Sequence, residues 1–147
     1  MPRPKKNRII GLPPQMIGFK PFGLPLKSID VIFMLFEEYE AIKLADYKNL
    51  NQDDAAEKMN ISRPTFTRIY ENARKKVAEA FVEAKIIAIK GGNVQFEKEW
   101  LKCEDCNLIV EKIPAISCCN NCSSDNLHNL FDNLNTNINH KNNEQCN

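Results

Sequence analysis

Apolar residues recur at helical spacing through the middle of the chain, and shorter alternating runs follow. From Glu37 to Asp46 they place Tyr39, Ile42 and Ala45 on one face, which predicts a first helix. Asn51 is a suitable N-cap for a second helix over 52–59, and Ser62 for a third. The apolar stripe predicted for this long third helix consists of Phe66, Ile69, Tyr70, Ala73, Val77, Ala80, Phe81 and Ala84.

The segments outside the helices have different patterns. IIAIK precedes Gly91-Gly92 and NVQFE follows it, which predicts a β-hairpin. The first thirty residues are rich in Pro and Gly and lack a helical period, and the last nineteen include eight asparagines. The predicted organisation is a basic, irregular N-terminal arm over 1–30, a helix-turn-helix domain with the hairpin over 31–97, a zinc ribbon over 98–128 and a disordered tail over 129–147.

The second and third helices have the features of a DNA-binding helix-turn-helix. Ala55 and Ala56 are small enough for the helices to approach closely, and Asn60 tolerates the left-handed conformation of the turn. Met59, Ile61, Phe66 and Ile69 fill the space between the helices. Any two packed helices need apolar residues at such spacing, so the exposed side of the third helix must decide the function.

That exposed side is basic, with five Lys or Arg between positions 63 and 76 against Glu71 alone. Arg68 and Asn72 suit bidentate contacts to guanine and adenine edges, whereas cations further along the helix suit phosphates. Glu71 either accepts from a cytosine amino group or pairs with Lys75. The predicted DNA contacts are Arg3, Lys5 and Lys6 in the arm, and Ser62, Arg63, Thr65, Thr67, Arg68, Asn72, Arg74, Lys75 and Lys76.

The charge distribution supports a polyanionic partner for the N-terminal part. The 147 residues carry a net charge of +1, but residues 1–90 contain sixteen Lys or Arg against eleven Asp or Glu, and residues 91–147 four against eight. The basic arm either enters a minor groove or is a solvated tail. No apolar stretch is long enough to span a bilayer and no signal peptide is evident, so a cytoplasmic protein without a membrane partner is expected.

The cysteines predict a metal site. Cys103 and Cys106 form one CxxC knuckle and Cys119 and Cys122 a second, which is the spacing of a four-cysteine zinc site. Four thiolates complete the coordination of Zn²⁺, so a structural role is predicted. An iron–sulfur cluster and a redox-switching zinc site are the alternatives. Cys118 and His128 lie near the site but are not predicted to bind the metal, and no role is assigned to Cys146.

Several motifs together resemble an uncharacterised family of bacterial and archaeal proteins, the domain of unknown function one-three-four. They are MPRPKKNR, FKPFGLPL, EEYEAIKLAD, NQDDAAEKMNISRPTFTRI, ARKKVAEAFVEAKIIAIKGG and the two knuckles, and the resemblance covers residues 1 to about 128. The helical part also resembles region four of sigma factors, which reads the −35 promoter element. This resemblance implies that the residues from Ser62 to Lys76 form the recognition helix.

The predicted fold class is therefore mainly α, with a sigma region-four-like helix-turn-helix followed by a β-hairpin and a small zinc ribbon. The predicted function is a DNA-binding transcriptional regulator that acts as a homodimer on duplex DNA, without catalytic activity or a small-molecule substrate. One alternative is an adaptor that docks on RNA polymerase. Another is a thiol- or metal-responsive regulator in which the ribbon controls DNA binding.

Overall fold

The computed structural model describes Pro4 and residues 6–130, and the chain divides between Glu97 and Lys98 into two compact units. The first contains β1 (Arg8–Ile10), β2 (Gly18–Phe19), a 3-10 turn (Leu26–Ser28), β3 (Val31–Met34), α1 (Phe36–Ile42) continued by a π-helical turn (Lys43–Tyr47), α2 (Gln52–Lys58), α3 (Arg63–Glu83), β4 (Ile86–Ile89) and β5 (Val94–Phe96). The second contains β6 (Trp100–Cys103), β7 (Ile109–Glu111) and β8 (Leu127–Asn129). Among these residues no helix combines the length and apolarity that a membrane crossing requires.

The predicted β-hairpin is wrong, because β4 and β5 do not pair with each other. β4 lies between β2 and β3 in a three-stranded sheet, and β5 pairs in parallel with β1. Gly91 and Gly92 have φ angles of 77° and 103°, so they turn the chain away from β4 toward a different partner. β4 is apolar at every position, Ile-Ile-Ala-Ile, which suits the centre of a sheet better than one arm of an isolated hairpin.

The N-terminal segment supplies the partners for both strands and is more ordered than the sequence analysis predicted. β1 and β2 lie within the predicted irregular arm, and Ile10 of β1 is fully buried. The fold is consequently mixed α/β and not mainly α. Arg3, Lys5 and residues 131–147, which include Cys146 and most of the predicted tail, lie outside the described residues.

The helices are held at both ends by one sheet. β3 is followed directly by α1, and α3 is followed directly by β4. β4 pairs in parallel with β3 over four residues. Parallel neighbours require a crossover connection, and here the three helices form it. Because both ends of the helical segment are tied to adjacent strands, the sheet restricts how α3 can move.

The helices pack around a small apolar cluster that includes most of the predicted residues. Ala41 and Leu44 from the first helical segment meet the others, which are Ala55, Ala56, Met59, Phe66 and Ile69, with Ile61 and Tyr70 packed alongside. Ala55 and Ala56 have the predicted small-residue role at the α2–α3 contact. The core of the predicted helix-turn-helix is confirmed.

The predicted apolar stripe of α3 is only partly correct. Phe66, Ile69, Ala73 and Ala80 are buried, but Phe81 is 87 % exposed and Val77 is 39 % exposed. The first half of the stripe packs against α2 and the first helical segment, whereas in the second half only Ala80 of the predicted residues is buried. Apolar residues toward the C-terminal end of α3 are therefore left on the surface.

Candidate nucleic-acid interface and metal centre

Local caps fix where α2 and α3 begin and how the chain turns between them. The Asp54 backbone N–H donates to Asn51 Oδ1 at 2.9 Å, and the Asn51 side-chain amide donates to the Asp54 carboxylate at 2.7 Å. Ser62 Oγ accepts from the Thr65 backbone N–H at 3.4 Å. Asn60, in the turn, has a φ angle of 54° in the left-handed region. The predicted caps and the predicted turn residue are confirmed.

Four polar residues form an exposed row along α3. Arg68, Glu71, Asn72 and Lys75 recur at i, i+3, i+4 and i+7, so they lie on one side of the helix. That side is opposite the buried Ile69 and Ala73. We call these four residues the recognition row, because an exposed helix face with Arg and Asn can reach base edges in a major groove.

The polar residues at the start of α3 contact each other and α2. The Thr67 hydroxyl donates to the Arg63 carbonyl at 3.0 Å and also contacts the Gln52 side chain. The hydroxyls of Ser62 and Thr65 are 2.8 Å apart. Arg63 pairs with Asp53 at 3.2 Å, and both side chains are largely exposed. Thr67 and Arg63 thus also join α3 to α2, whereas Ser62 and Thr65 contact each other at the start of α3.

Arg74 is exposed and lies against an aromatic ring. Its guanidinium is 5.4 Å from the centre of the Tyr70 ring, at a distance suited to a cation–π contact. The Tyr70 hydroxyl donates to Asp46, and this hydrogen bond raises the pKa of Tyr70 above its usual value. The Arg74 side chain is therefore positioned by Tyr70.

Lys76 is partly exposed and pairs with a residue of α1, unlike the other predicted phosphate contacts. Its Nζ lies 2.7 Å from Glu38 Oε2, and the Glu38 side chain is only 5 % exposed. Glu38 also accepts from the Leu35 backbone N–H at 2.9 Å, at the beginning of α1. In this structure Lys76 neutralises a buried carboxylate, so we assign it a structural role.

We expect Lys76→Ala to destabilise the protein far more than Lys75→Ala. Removing Lys76 leaves the buried Glu38 carboxylate without its cation, which should cost about 1–3 kcal/mol because Lys76 is partly exposed. Lys75 is exposed and adjacent, so its loss should cost less than about 0.5 kcal/mol. Urea unfolding followed by the helical circular dichroism signal measures both; equal costs would contradict the structural role.

The structure brings part of the basic N-terminal segment to the start of α3. Lys6 and Arg8 line an open groove together with Ser62, Arg63 and Thr65. Asp53 and Glu57 contribute acidic groups to the same groove. Arg8 Nε is also 3.5 Å from the largely buried Glu37 carboxylate, so Arg8 anchors β1 to α1. Lys6 is thereby near the proposed recognition helix.

The four predicted metal ligands converge in the second unit. The sulfurs of Cys103, Cys106, Cys119 and Cys122 all lie within 4.8 Å of one another. The Cys103–Cys122 and Cys106–Cys119 pairs are each 3.5 Å apart, far longer than a disulfide bond. A tetrahedral thiolate set around Zn²⁺ has sulfurs about 3.8 Å apart, given Zn–S bonds of about 2.3 Å. The cluster therefore fits one tetrahedral metal ion.

Hydrogen bonds and neighbouring thiols shift the pKa values of two cluster cysteines in opposite directions. Hydrogen bonds from the backbone of Leu108 and from Asn121 lower the pKa of Cys106 to about 6. A hydrogen bond donated by the backbone of Ser124 lowers the pKa of Cys122, but desolvation and the neighbouring thiols outweigh it and raise that pKa to about 12. Four thiolates this close together repel one another, and a divalent cation bound between them would remove that repulsion.

Residues next to the cluster have separate roles. Cys118 is exposed and does not belong to the four-sulfur set, so Cys119 is the cluster ligand of the pair. Asp105 accepts from Ser124 and Asn126, and these hydrogen bonds lower the pKa of Asp105. They join the first knuckle to the chain that follows the second. His128 interacts with Asn126 at 2.8 Å and lies in β8.

Sequence reasoning missed a buried acidic group on α1. Glu37, Glu38 and Glu40 are all at most 7 % exposed, whereas the predicted face of Tyr39, Ile42 and Ala45 is only half-buried. Their cations are Arg8, Lys76 and Lys43. The one sequence signal was three glutamates within a single turn, which is equally typical of a solvated helix start. Two of the three cations, Arg8 and Lys76, are distant in the chain, so the local sequence gives no sign that these glutamates are buried.

Comparison with known proteins gives a consistent result. The family model described as "Protein of unknown function DUF134" matches residues 1–97. A UPF0251 protein of Chloroherpeton thalassium is 43 % identical over 132 residues, which are 88 % of this chain and 87 % of that protein. A UPF0251 protein of Clostridium botulinum is 46 % identical over 111 residues, 76 % of this chain and 71 % of the relative. No solved structure matches the chain.

Proposed function

The chain belongs to the family of proteins of unknown function DUF134, and we propose that it binds duplex DNA through α3 and regulates transcription. The observation that carries this proposal is the recognition row, an exposed set of side chains on a helix whose other side is fixed against α2. Arg68 and Asn72 would contact base edges, and Lys75 and Arg74 would contact phosphates. Lys76 is not included, because Glu38 holds it.

The position of the N-terminal segment adds to this proposal. Lys6 and Arg63 line one groove at the start of α3, so cations from two distant parts of the chain would meet the same stretch of DNA backbone. The acidic residues in that groove, Asp53 and Glu57, limit its net positive charge. We therefore expect phosphate contacts here to orient α3, with sequence reading left to the recognition row.

A salt series tests DNA binding directly. Fluorescence anisotropy measures the affinity of the metal-loaded protein for its own promoter DNA and for random duplex at several salt concentrations. A plot of log affinity against log salt concentration should be linear, with a slope of about −0.9 for each phosphate contacted. The promoter DNA should bind more tightly than the random duplex at every salt concentration. Weak binding that is insensitive to both salt and sequence would contradict the proposal and favour an adaptor that contacts RNA polymerase.

We propose that the four-cysteine cluster holds one structural zinc ion. Cys103 and Cys119 are buried and the four sulfurs would fill the coordination shell, leaving no position for water. This supports a binding role without catalysis. Metal analysis distinguishes zinc from a single iron ion, which four thiolates also bind.

A further inference from the structure

We propose that Asp53 of α2 competes with DNA phosphates for Arg63 and thereby lowers the affinity of the chain for duplex DNA, an inference that rests on the proposed DNA binding. Arg63 is the first residue of α3, and Asp53 is the second residue of α2. Arg63 Nη1 lies 3.2 Å from Asp53 Oδ2, and both residues line the groove at the start of α3. The first cation of α3 is therefore already paired with a carboxylate of α2.

The charged residues that the structure describes along this groove nearly cancel one another. Lys6, Arg8 and Arg63 supply the positive charges, and Asp53 and Glu57 supply the negative ones. Arg8 is already held by a largely buried carboxylate of α1. Lys6 and Arg63 are thus left to attract phosphates against two carboxylates. The groove therefore attracts phosphates weakly, although it contains the first cation of α3.

The Arg63–Asp53 pair is exposed enough for a phosphate to displace the carboxylate. The two side chains are 62 % and 68 % exposed, and ion pairs this exposed contribute little to folding stability. Guanidinium groups bind carboxylates and phosphates through the same kind of charge-assisted hydrogen bonds. Two anions at one guanidinium repel each other, so Asp53 and a phosphate compete for Arg63. Because phosphates carry no sequence information, the competition should lower the affinity for promoter and random duplexes by the same factor.

A double-mutant cycle on random duplex tests the competition. Fluorescence anisotropy compares the metal-loaded full-length wild type with Asp53→Asn, Arg63→Ala and the double variant. When Arg63 is present, Asp53→Asn should raise the affinity about 10-fold, because the guanidinium becomes free to bind a phosphate. When Arg63 is replaced by alanine, Asp53→Asn should raise the affinity only about 2-fold, because only charge repulsion is removed. With Arg63 present, Asp53→Asn should also steepen the slope of log affinity against log salt concentration by about 0.9.

Asp30→Asn is the matched control, because Asp30 is an exposed aspartate of the first unit that does not line the groove. It removes the same charge and should leave the affinity nearly unchanged. Unchanged helical circular dichroism would show that all the variants fold.

An effect of Asp53→Asn that is the same with and without Arg63 would show charge repulsion alone and would overturn the competition. A loss of affinity in Asp53→Asn would overturn it too, because Asp53 would then hold Arg63 in position for a phosphate. If the wild type binds DNA and Asp53→Asn behaves like Asp30→Asn, the competition is rejected and the DNA-binding function stands. If neither the wild type nor any variant binds duplex DNA, the DNA-binding function is rejected together with the competition.

Discussion

Replacing Cys119 by serine is expected to unfold the second unit while the helices of the first unit remain. Cys119 is 1 % exposed and is one of the four converging sulfurs. A structural zinc ion contributes about 10–16 kcal/mol of apparent folding free energy in units of this size. The described part of the second unit has short strands and few buried apolar side chains, such as Val110 and Leu130, so we expect its own core to be insufficient.

Two optical signals separate the units in this experiment. Trp100 is the single tryptophan of the chain and lies in β6, so its fluorescence reports on the second unit. The helical circular dichroism signal comes mainly from α1, α2 and α3 in the first unit. Cys119→Ser, or chelation of the wild type, should shift tryptophan emission toward that of exposed indole and leave most of the helical signal.

Cys118→Ser is the matched control, because Cys118 is the neighbouring cysteine and is exposed outside the cluster. It should bind one metal ion per chain and keep the wild-type fluorescence. A chelated wild type with unchanged tryptophan emission would contradict a structural role for the metal. Simultaneous loss of the helical signal would contradict the independence of the two units.

Arg68→Ala is expected to reduce the preference for promoter over random duplex by about 1–3 kcal/mol, or roughly 5- to 150-fold. Arg68 is exposed in the recognition row, where its guanidinium can donate two hydrogen bonds to the edge of a guanine base. The substitution should change random-duplex affinity much less, since only one of several cations is lost. Paired anisotropy titrations at one salt concentration measure the ratio.

Lys48→Ala serves as the charge-matched control for Arg68→Ala. Lys48 is exposed at the end of the π-helical turn, outside the recognition row. Its loss removes one positive charge from the same unit and should leave the promoter preference unchanged. If Arg68→Ala lowered both affinities by the same factor, Arg68 would be a phosphate contact and base reading by this residue would be excluded.

Local sequence signals predicted the helical segment and the metal ligands well. Asn51, Asn60 and Ser62 act through bonds or conformations within three or four residues, so the sequence around each specifies the result. Each CxxC knuckle is local in the same sense, and a single segment of chain joins the first knuckle to the second. The packing of Ala55 and Ala56 followed from helical periodicity over a short segment.

The sheets could not be predicted in this way, because a strand does not specify its partner by its own pattern. β4 and β5 flank a glycine pair and satisfy every local requirement of a hairpin, yet each pairs with strands from the first thirty-four residues. The apolar N-terminal strands are short and interrupted by Pro and Gly, so they resemble an irregular arm until their partners are known.

The sequence by itself determined where the helices begin, how the chain turns between α2 and α3, and which four cysteines converge. Only the tertiary structure decided which strands pair, that Lys76 serves the buried Glu38, and that Phe81 is exposed although Phe66 on the same predicted stripe is buried. The physical reason is the range of the interactions. Caps and knuckles form within a few residues, whereas burial of a charge or an apolar face depends on residues that are distant in the chain.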